Sequence, residues 1–174
     1  SWGSQGTFSF KNCVDDVINV VEFCKKYQDS LKIDTSRIVL FGHSMGAWVC
    51  IKALEQLPTV KKGFALSTWN IGTYYNSISP KTGRNLFMLN ANLEDLYNSV
   101  DQNKVKYNLI NDNFESFRGK QIFMIDEHKF NSKLAETIKK SNPSSFEYLV
   151  WQTDHSFTNK RVALMKRLVE FLNR

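Results

Sequence analysis

The sequence predicts an α/β protein with a mostly parallel sheet flanked by helices. Three observations lead there. Four short apolar runs, at 37–41, 63–68, 121–125 and 146–151, are separated by segments of helical periodicity. Each run is continuous rather than alternating, the pattern of a strand buried on both faces. The order strand, helix, strand recurs along all 174 residues, which implies crossover connections and helices on both sides of the sheet.

Each element has its own justification. Residues 1–7, SWGSQGT, are small and polar and read as a loop. Ser9 is placed to cap a helix running to about Tyr27, in which Cys13, Val14, Val17, Ile18, Val21 and Cys24 recur at three- and four-residue spacing. Asp34-Thr35-Ser36 is a turn before the first strand, 37–41. Residues 47–57 read as a helix that Pro58 stops. Residues 63–68 (GFALST) are the second strand, 121–125 (QIFMI) the third and 146–151 (FEYLVW) the fourth. The 69–120 stretch is too long for a plain connection. It reads as a lid-like insertion over one end of the sheet, with helical pieces at 92–100 and 111–117. Helix 132–140 carries Leu134, Ala135 and Ile138 on one side, and helix 158–172 closes the chain with an apolar stripe from Val162 to Leu172. Residues 1–174 thus form a single domain.

Composition narrows the function. Hydrophobic residues make up 42% of the chain, which excludes disorder. The net charge of +6 comes from Lys and Arg scattered from Lys11 to Arg174 without a dense block, so it describes a solvated surface and no nucleic-acid partner is expected. Three cysteines, an odd count without CxxC, give neither a disulfide framework nor a zinc pattern. No apolar run reaches transmembrane length and no signal peptide is visible, so the expected location is the cytoplasm. The oligomeric state is left open.

The chemistry concentrates where the first strand meets its helix. Gly42-His43-Ser44-Met45-Gly46 fits G-x-S-x-G, and ligands of parallel sheets bind at the carboxyl ends of strands. A turn this sharp strains the serine backbone, and side chains at the two glycines would collide with the neighbouring strand and helix. It presents Ser44 as a nucleophile at a helix start, where the Met45 N–H can face a developing oxyanion. A serine needs a base. Of three histidines, His43 lies inside the elbow, displaced from Ser44 by the turn, and His128 follows the third strand. His155, in WQTDHSF beyond the fourth strand, satisfies the chain order serine, acid, histidine. Asp126, at the end of the third strand, is the favoured orienting acid, with Glu127 as runner-up, because the loop after a strand can present either neighbour. Asp154 directly precedes His155 and suits a surface or capping role. Asp126 with His128 lacks a third metal ligand.

The run IDTSRIVLFGHSMGA, the strand-end Asp126 and the closing TDHSFTNKRVALMKRLVEFL together resemble the α/β-hydrolase superfamily, over about Trp2 to Leu172. The tail is similar to serine esterases and to the catalytic domains of prolyl-oligopeptidase-type peptidases. The resemblance implies a Ser44–Asp126–His155 triad, an acyl-enzyme, a small-molecule acyl substrate, and no metal or organic cofactor. It also implies that SWGSQGT, with Trp2, lies close to the pocket mouth, His43 and Met45 near the oxyanion. Two departures stand out. Many relatives place the acid in a Gly-x-x-Asp turn followed by proline, which FMIDEHKF lacks. Relatives also carry further strands before the helix that begins here near Ser9, including a loop that supplies a second oxyanion donor. The chain is therefore expected to be the carboxyl-terminal portion of a longer hydrolase.

Substrate choice falls to the insertion. Trp69, Tyr74, Tyr75, Phe87 and Tyr97 either line an apolar acyl pocket or pack the insertion's own small core. GHSMGA is closer to esterases and thioesterases than to the peptidase branch, which often has an aromatic after the serine. Esterase is the first expectation, peptidase the second, and a non-catalytic binding protein on the same fold the rival from another class.

Overall fold

Ser9 opens the first helix through its hydroxyl, which accepts the Asn12 N–H at 3.0 Å. Helix α1 spans Phe10–Lys26 and a single further turn, α2, spans Gln28–Leu31. The computed structural model describes residues 6–74 and 89–174. The expectations for Trp2, Tyr75 and Phe87 fall outside those residues.

Strand β1 is Val39–His43, two residues later than its apolar run suggests. The Asp34 side chain accepts the Ser36 N–H and winds Thr35–Arg37 into a 3₁₀ turn, which uses up the start of the run. Helix α3 (Met45–Gln56) and strand β2 (Lys62–Leu66) follow. Within the insertion, α4 (Leu93–Gln102) is capped by Asn92, and α5 is the turn Lys104–Tyr107. The expected helix at 111–117 is replaced by two 3₁₀ turns, Leu109–Asn111 and Phe114–Phe117. The side chains of Asn108 and Asn113 accept the N–H groups of Ile110 and Glu115, local bonds that compete with an α-helix. Strand β3 (Gln121–Asp126), helix α6 (Ser132–Ser141) and strand β4 (Phe146–Val150) match their predicted runs closely. Helix α7 (Arg161–Leu172) starts three residues late, because Asp154 accepts the Thr158 N–H in a turn of its own.

The four strands are parallel in the order β1-β2-β3-β4. Their carboxyl ends therefore share one edge: His43 faces Leu66, Leu66 faces Ile125 and Asp126 faces Val150. β1 pairs only with β2 among the described residues, and Phe41 is half exposed there.

Strand side chains alternate between two cores, as a pleat requires. Ile122 and Met124 of β3 join the core under α1, α3, the insertion and α6. Phe123 and Ile125 join Phe64, Leu66, Phe157 and Phe171 under α7. The described part of the insertion belongs to the first core: Leu96, Val100, Leu109, Phe114 and Phe117 are buried there, and Tyr97 packs against it. Trp48 Nε1 donates to the Tyr107 carbonyl at 2.8 Å, and Lys52 pairs with Asp112 and donates to the Lys106 carbonyl. No described helix is long and apolar enough to cross a membrane.

Lys120 is a buried cation with a structural task. Its Nζ donates to the Leu54 and Leu57 carbonyls at 2.5 and 2.7 Å, closing the end of α3 that Pro58 terminates. Burial pushes its ammonium down to about 8. The folded state thus releases this proton near pH 8 while the unfolded chain keeps it to its ordinary value of 10.5, so this group's contribution to stability rises across that window. Lys120→Met is expected to lose about 1–3 kcal/mol at neutral pH, because two buried carbonyls lose their donor. In urea melts at about pH 7.5 and 9.5, the wild-type protein should gain on the variant at the higher pH. Equal pH responses would contradict this assignment.

Candidate active site

The elbow is strained as its motif predicts. Ser44 has φ 57° and ψ −117°, a left-handed conformation at a non-glycine residue. Its N–H donates to the Leu66 carbonyl at 2.8 Å and its own carbonyl accepts the Trp69 N–H at 3.2 Å, so both neighbouring segments hold it. The hydroxyl makes no capping bond to α3. Met45 is the first residue of that helix, where N–H groups have no acceptor within the helix. The two glycines differ. A Cβ at Gly42 would collide with the Gly46 carbonyl and lie 2.6 Å from the Ala47 nitrogen. A Cβ at Gly46 would meet nothing within 4 Å, so the steric argument holds for Gly42 and fails for Gly46.

His155 sits in the turn between β4 and α7. Phe157, buried and at φ 53°, anchors that turn beneath α7, and Asp154 closes it by accepting the Thr158 N–H at 2.7 Å. That bond holds the Asp154 carboxyl below its ordinary value. Asp154 is thus a turn residue.

The structure does not bring Asp126 to His155. His155 Nδ1 lies 2.7 Å from Glu127 Oε1. The reason is the pleat. Asp126 continues the Ile122–Met124 side of β3, away from α7, whereas Glu127 follows the Phe123–Ile125 side, which α7 and Phe157 cover. Asp126 is 2% exposed and fully engaged: Oδ1 accepts the Thr68 N–H, and Oδ2 accepts from Asn131 Nδ2 and the Tyr148 hydroxyl, each at 3.0 Å. Burial pushes its carboxyl upward against these three donors. The Glu127 carboxyl lies below its ordinary value. Partial burial pushes it up, and the polar neighbours Ser67 and His155 outweigh that.

His43 is also set by the pleat. It shares its side of β1 with Val39, which packs under α7, and with Phe41, which stacks on Phe64. Its Nε2 lies 2.7 Å from the His155 carbonyl oxygen, so a protonated Nε2 donates there, and the two rings are 4.7 Å apart. The structure places the His43 ring against the His155 turn, outside the groups that wall the cavity.

That cavity, of about 340 Å³, is lined by Ser44, Glu127 and His155, with Trp69, Tyr74 and Phe130 as its aromatic walls. Ser67, Thr68, Asp126 and Asn131 complete it. Ser44 and His155 share its wall and make no hydrogen bond to each other in this structure. A larger groove of about 810 Å³ lies between α1, α3 and the insertion and holds none of these three candidates. Among the described residues, no group of three or more His, Cys, Asp or Glu side chains comes together as a metal site. The His128 ring packs on Phe130 at 5.3 Å. Phe130, Asn131 and Ser67 went unnoticed in the sequence, and only the side-by-side strand ends assemble them.

Residues 9–149 match the family described as platelet-activating factor acetylhydrolase, isoform II. No curated protein matches the chain. Among solved structures, the Pyrococcus furiosus esterase Pf2001 shares 24% identity and a TM-score of 0.62, over 92% of this chain and 61% of that one. The esterase Est22 shares 18% identity and a TM-score of 0.57, over 80% of this chain and 46% of that one. A carboxylesterase structure of the ammonia-oxidizing thaumarchaeon Nitrososphaera gargenis shares 13% and 0.55, over 98% and 75%. The chain thus spans less than two thirds of the first two structures, and all three share its fold.

The two glycines give a direct test of the elbow. Gly42→Ala is expected to cost about 2 kcal/mol or more, because backbone must move. Gly46→Ala should be neutral or stabilise by up to about 1 kcal/mol, since alanine suits a first helical turn better. Thermal unfolding of both variants decides, and equal losses would contradict the geometry.

Proposed function

We propose that this chain, which belongs to the platelet-activating factor acetylhydrolase, isoform II family, carries the catalytic centre of a serine esterase with Ser44 as nucleophile, His155 as base and Glu127 as the orienting carboxylate. One observation carries the reading. The imidazole held by Glu127 at 2.7 Å and the serine of a strained strand-to-helix elbow line the same small cavity.

The chemistry follows from the placement. His155 Nε2 accepts the Ser44 proton as Oγ attacks an acyl carbonyl carbon, and the Met45 N–H faces the oxyanion that forms. Glu127 accepts the Nδ1–H, which fixes the tautomer and offsets the imidazolium charge. His155 then protonates the departing alcohol, and a water activated by the same ring releases the acid. The Ser44–His155 hydrogen bond is one of those that tighten only with substrate in place. Because the Glu127 carboxyl lies below its ordinary value, it stays ionised at neutral pH. A cavity of about 340 Å³ walled by Trp69, Tyr74 and Phe130 suits a short acyl group, in keeping with the acetyl group in the family's description.

Ser44→Ala is expected to abolish both ester turnover and labelling by a fluorophosphonate while leaving the melting temperature nearly unchanged. A wild-type protein that resists the label at Ser44 is a binding protein, and the esterase reading then fails. p-Nitrophenyl esters of increasing acyl length, set against a peptide panel, should show a preference for short esters.

The two carboxyls separate by kinetics and stability. Glu127→Gln should lower kcat by about 10³–10⁴ with the fold intact. Asp126→Asn should lower stability by about 1–3 kcal/mol and change kcat far less. The reverse pattern would return the acid role to Asp126.

A further inference from the structure

Ser67 is an anomaly at the rim. It follows β2 by one residue, is 5% exposed, has φ 46°, and its Oγ has no hydrogen-bond partner. An unpaired buried hydroxyl and a left-handed non-glycine backbone are both unfavourable. Such costs persist at one residue only where the surroundings impose them.

The surroundings identify what the hydroxyl serves. β2 and β3 run in register with Leu66 opposite Ile125, and the Ser67 N–H donates to the Ile125 carbonyl at 2.8 Å. Ser67 therefore emerges beside the Asp126–Glu127 pair. Alternation would send it to the α3 side with Ala65 and away from Phe64 and Leu66, but the left-handed backbone ends the pleat at this residue. Ser67, Glu127, His155 and Ser44 all line the one cavity. Glu127 meets His155 through Oε1. Asp126 beside it is occupied by Thr68, Asn131 and Tyr148, which leaves Glu127 as the carboxylate at this strand end that shares the cavity wall with Ser67.

We propose that Ser67 is a positioning residue, whose hydroxyl donates to the Glu127 carboxylate and fixes the oxygen that holds His155. The proposal rests on the reading of Glu127 as the carboxylate partner of His155. In the structure the Ser67 Oγ has no hydrogen-bond partner, and the bond to Glu127 is the one its place on the cavity wall offers it. Ser67 already favours the ionised form of Glu127 against the effect of burial.

Ser67→Gly tests this without disturbing the backbone, because glycine suits φ 46° and its stability should hold or rise. The Glu127 carboxyl is titrated by ¹³C NMR in the wild-type and variant proteins. Loss of a donor to the carboxylate should raise its midpoint by about half a unit or more. Turnover of p-nitrophenyl acetate should fall by about tenfold in kcat, with KM within about twofold. An unchanged Glu127 midpoint overturns the role of Ser67, whatever happens to the rate. The titration needs no turnover, so an inactive wild-type protein counts against the esterase reading and a static midpoint counts against Ser67.

Discussion

Side chains on a strand alternate between its two faces, and that constraint arranges everything at the carboxyl edge of this sheet. Along β3 it sends Ile122 and Met124 into one core and Phe123 and Ile125 into the other. Two adjacent acids at the strand end inherit this parity. Asp126 turns inward to three donors, and Glu127 turns toward the α7 side, where the β4–α7 turn carries His155. The same rule on β1 puts His43 on the α7 side, under the His155 carbonyl, while Gly42 faces the helix it must clear.

The rim is built on backbone that a regular strand or helix would not adopt. Of four described non-glycine residues with positive φ, three stand there: Ser44, Ser67 and Phe157. Each follows a strand or the turn after one, where the chain must leave the sheet and aim a side chain sideways. Strain of this kind needs a stiff frame. Asp126 supplies part of it, binding the end of β2 through Thr68, the start of α6 through Asn131, and β4 through Tyr148. Asn131 doubles the link by donating to the Thr68 carbonyl at 2.9 Å. A buried carboxylate with three donors is thus a staple between strand ends, and the carboxylate next to it is left for the imidazole.

The 69–120 segment does two separate jobs. Trp69 and Tyr74, at its start, wall the cavity. Its described remainder forms a layer on α3, tied by Trp48 to Tyr107 and by Lys52 to Asp112. α3 begins at the elbow, so packing of this layer bears on the helix that carries the Met45 N–H.

By itself the sequence determined the architecture: four buried strands, their alternation with helices, the Ser9 cap, the serine elbow at Ser44 and the histidine beyond the fourth strand. These are local or periodic signals, written in apolar spacing and in a serine set between two glycines. Tertiary structure alone decided which of two adjacent carboxyls meets the imidazole, that Gly46 faces open space, and that Ser67 shares a cavity wall with Glu127. Those outcomes depend on which core each face of a strand joins and on which strand ends lie side by side. Such contacts join residues far apart along the chain, and no local pattern encodes them.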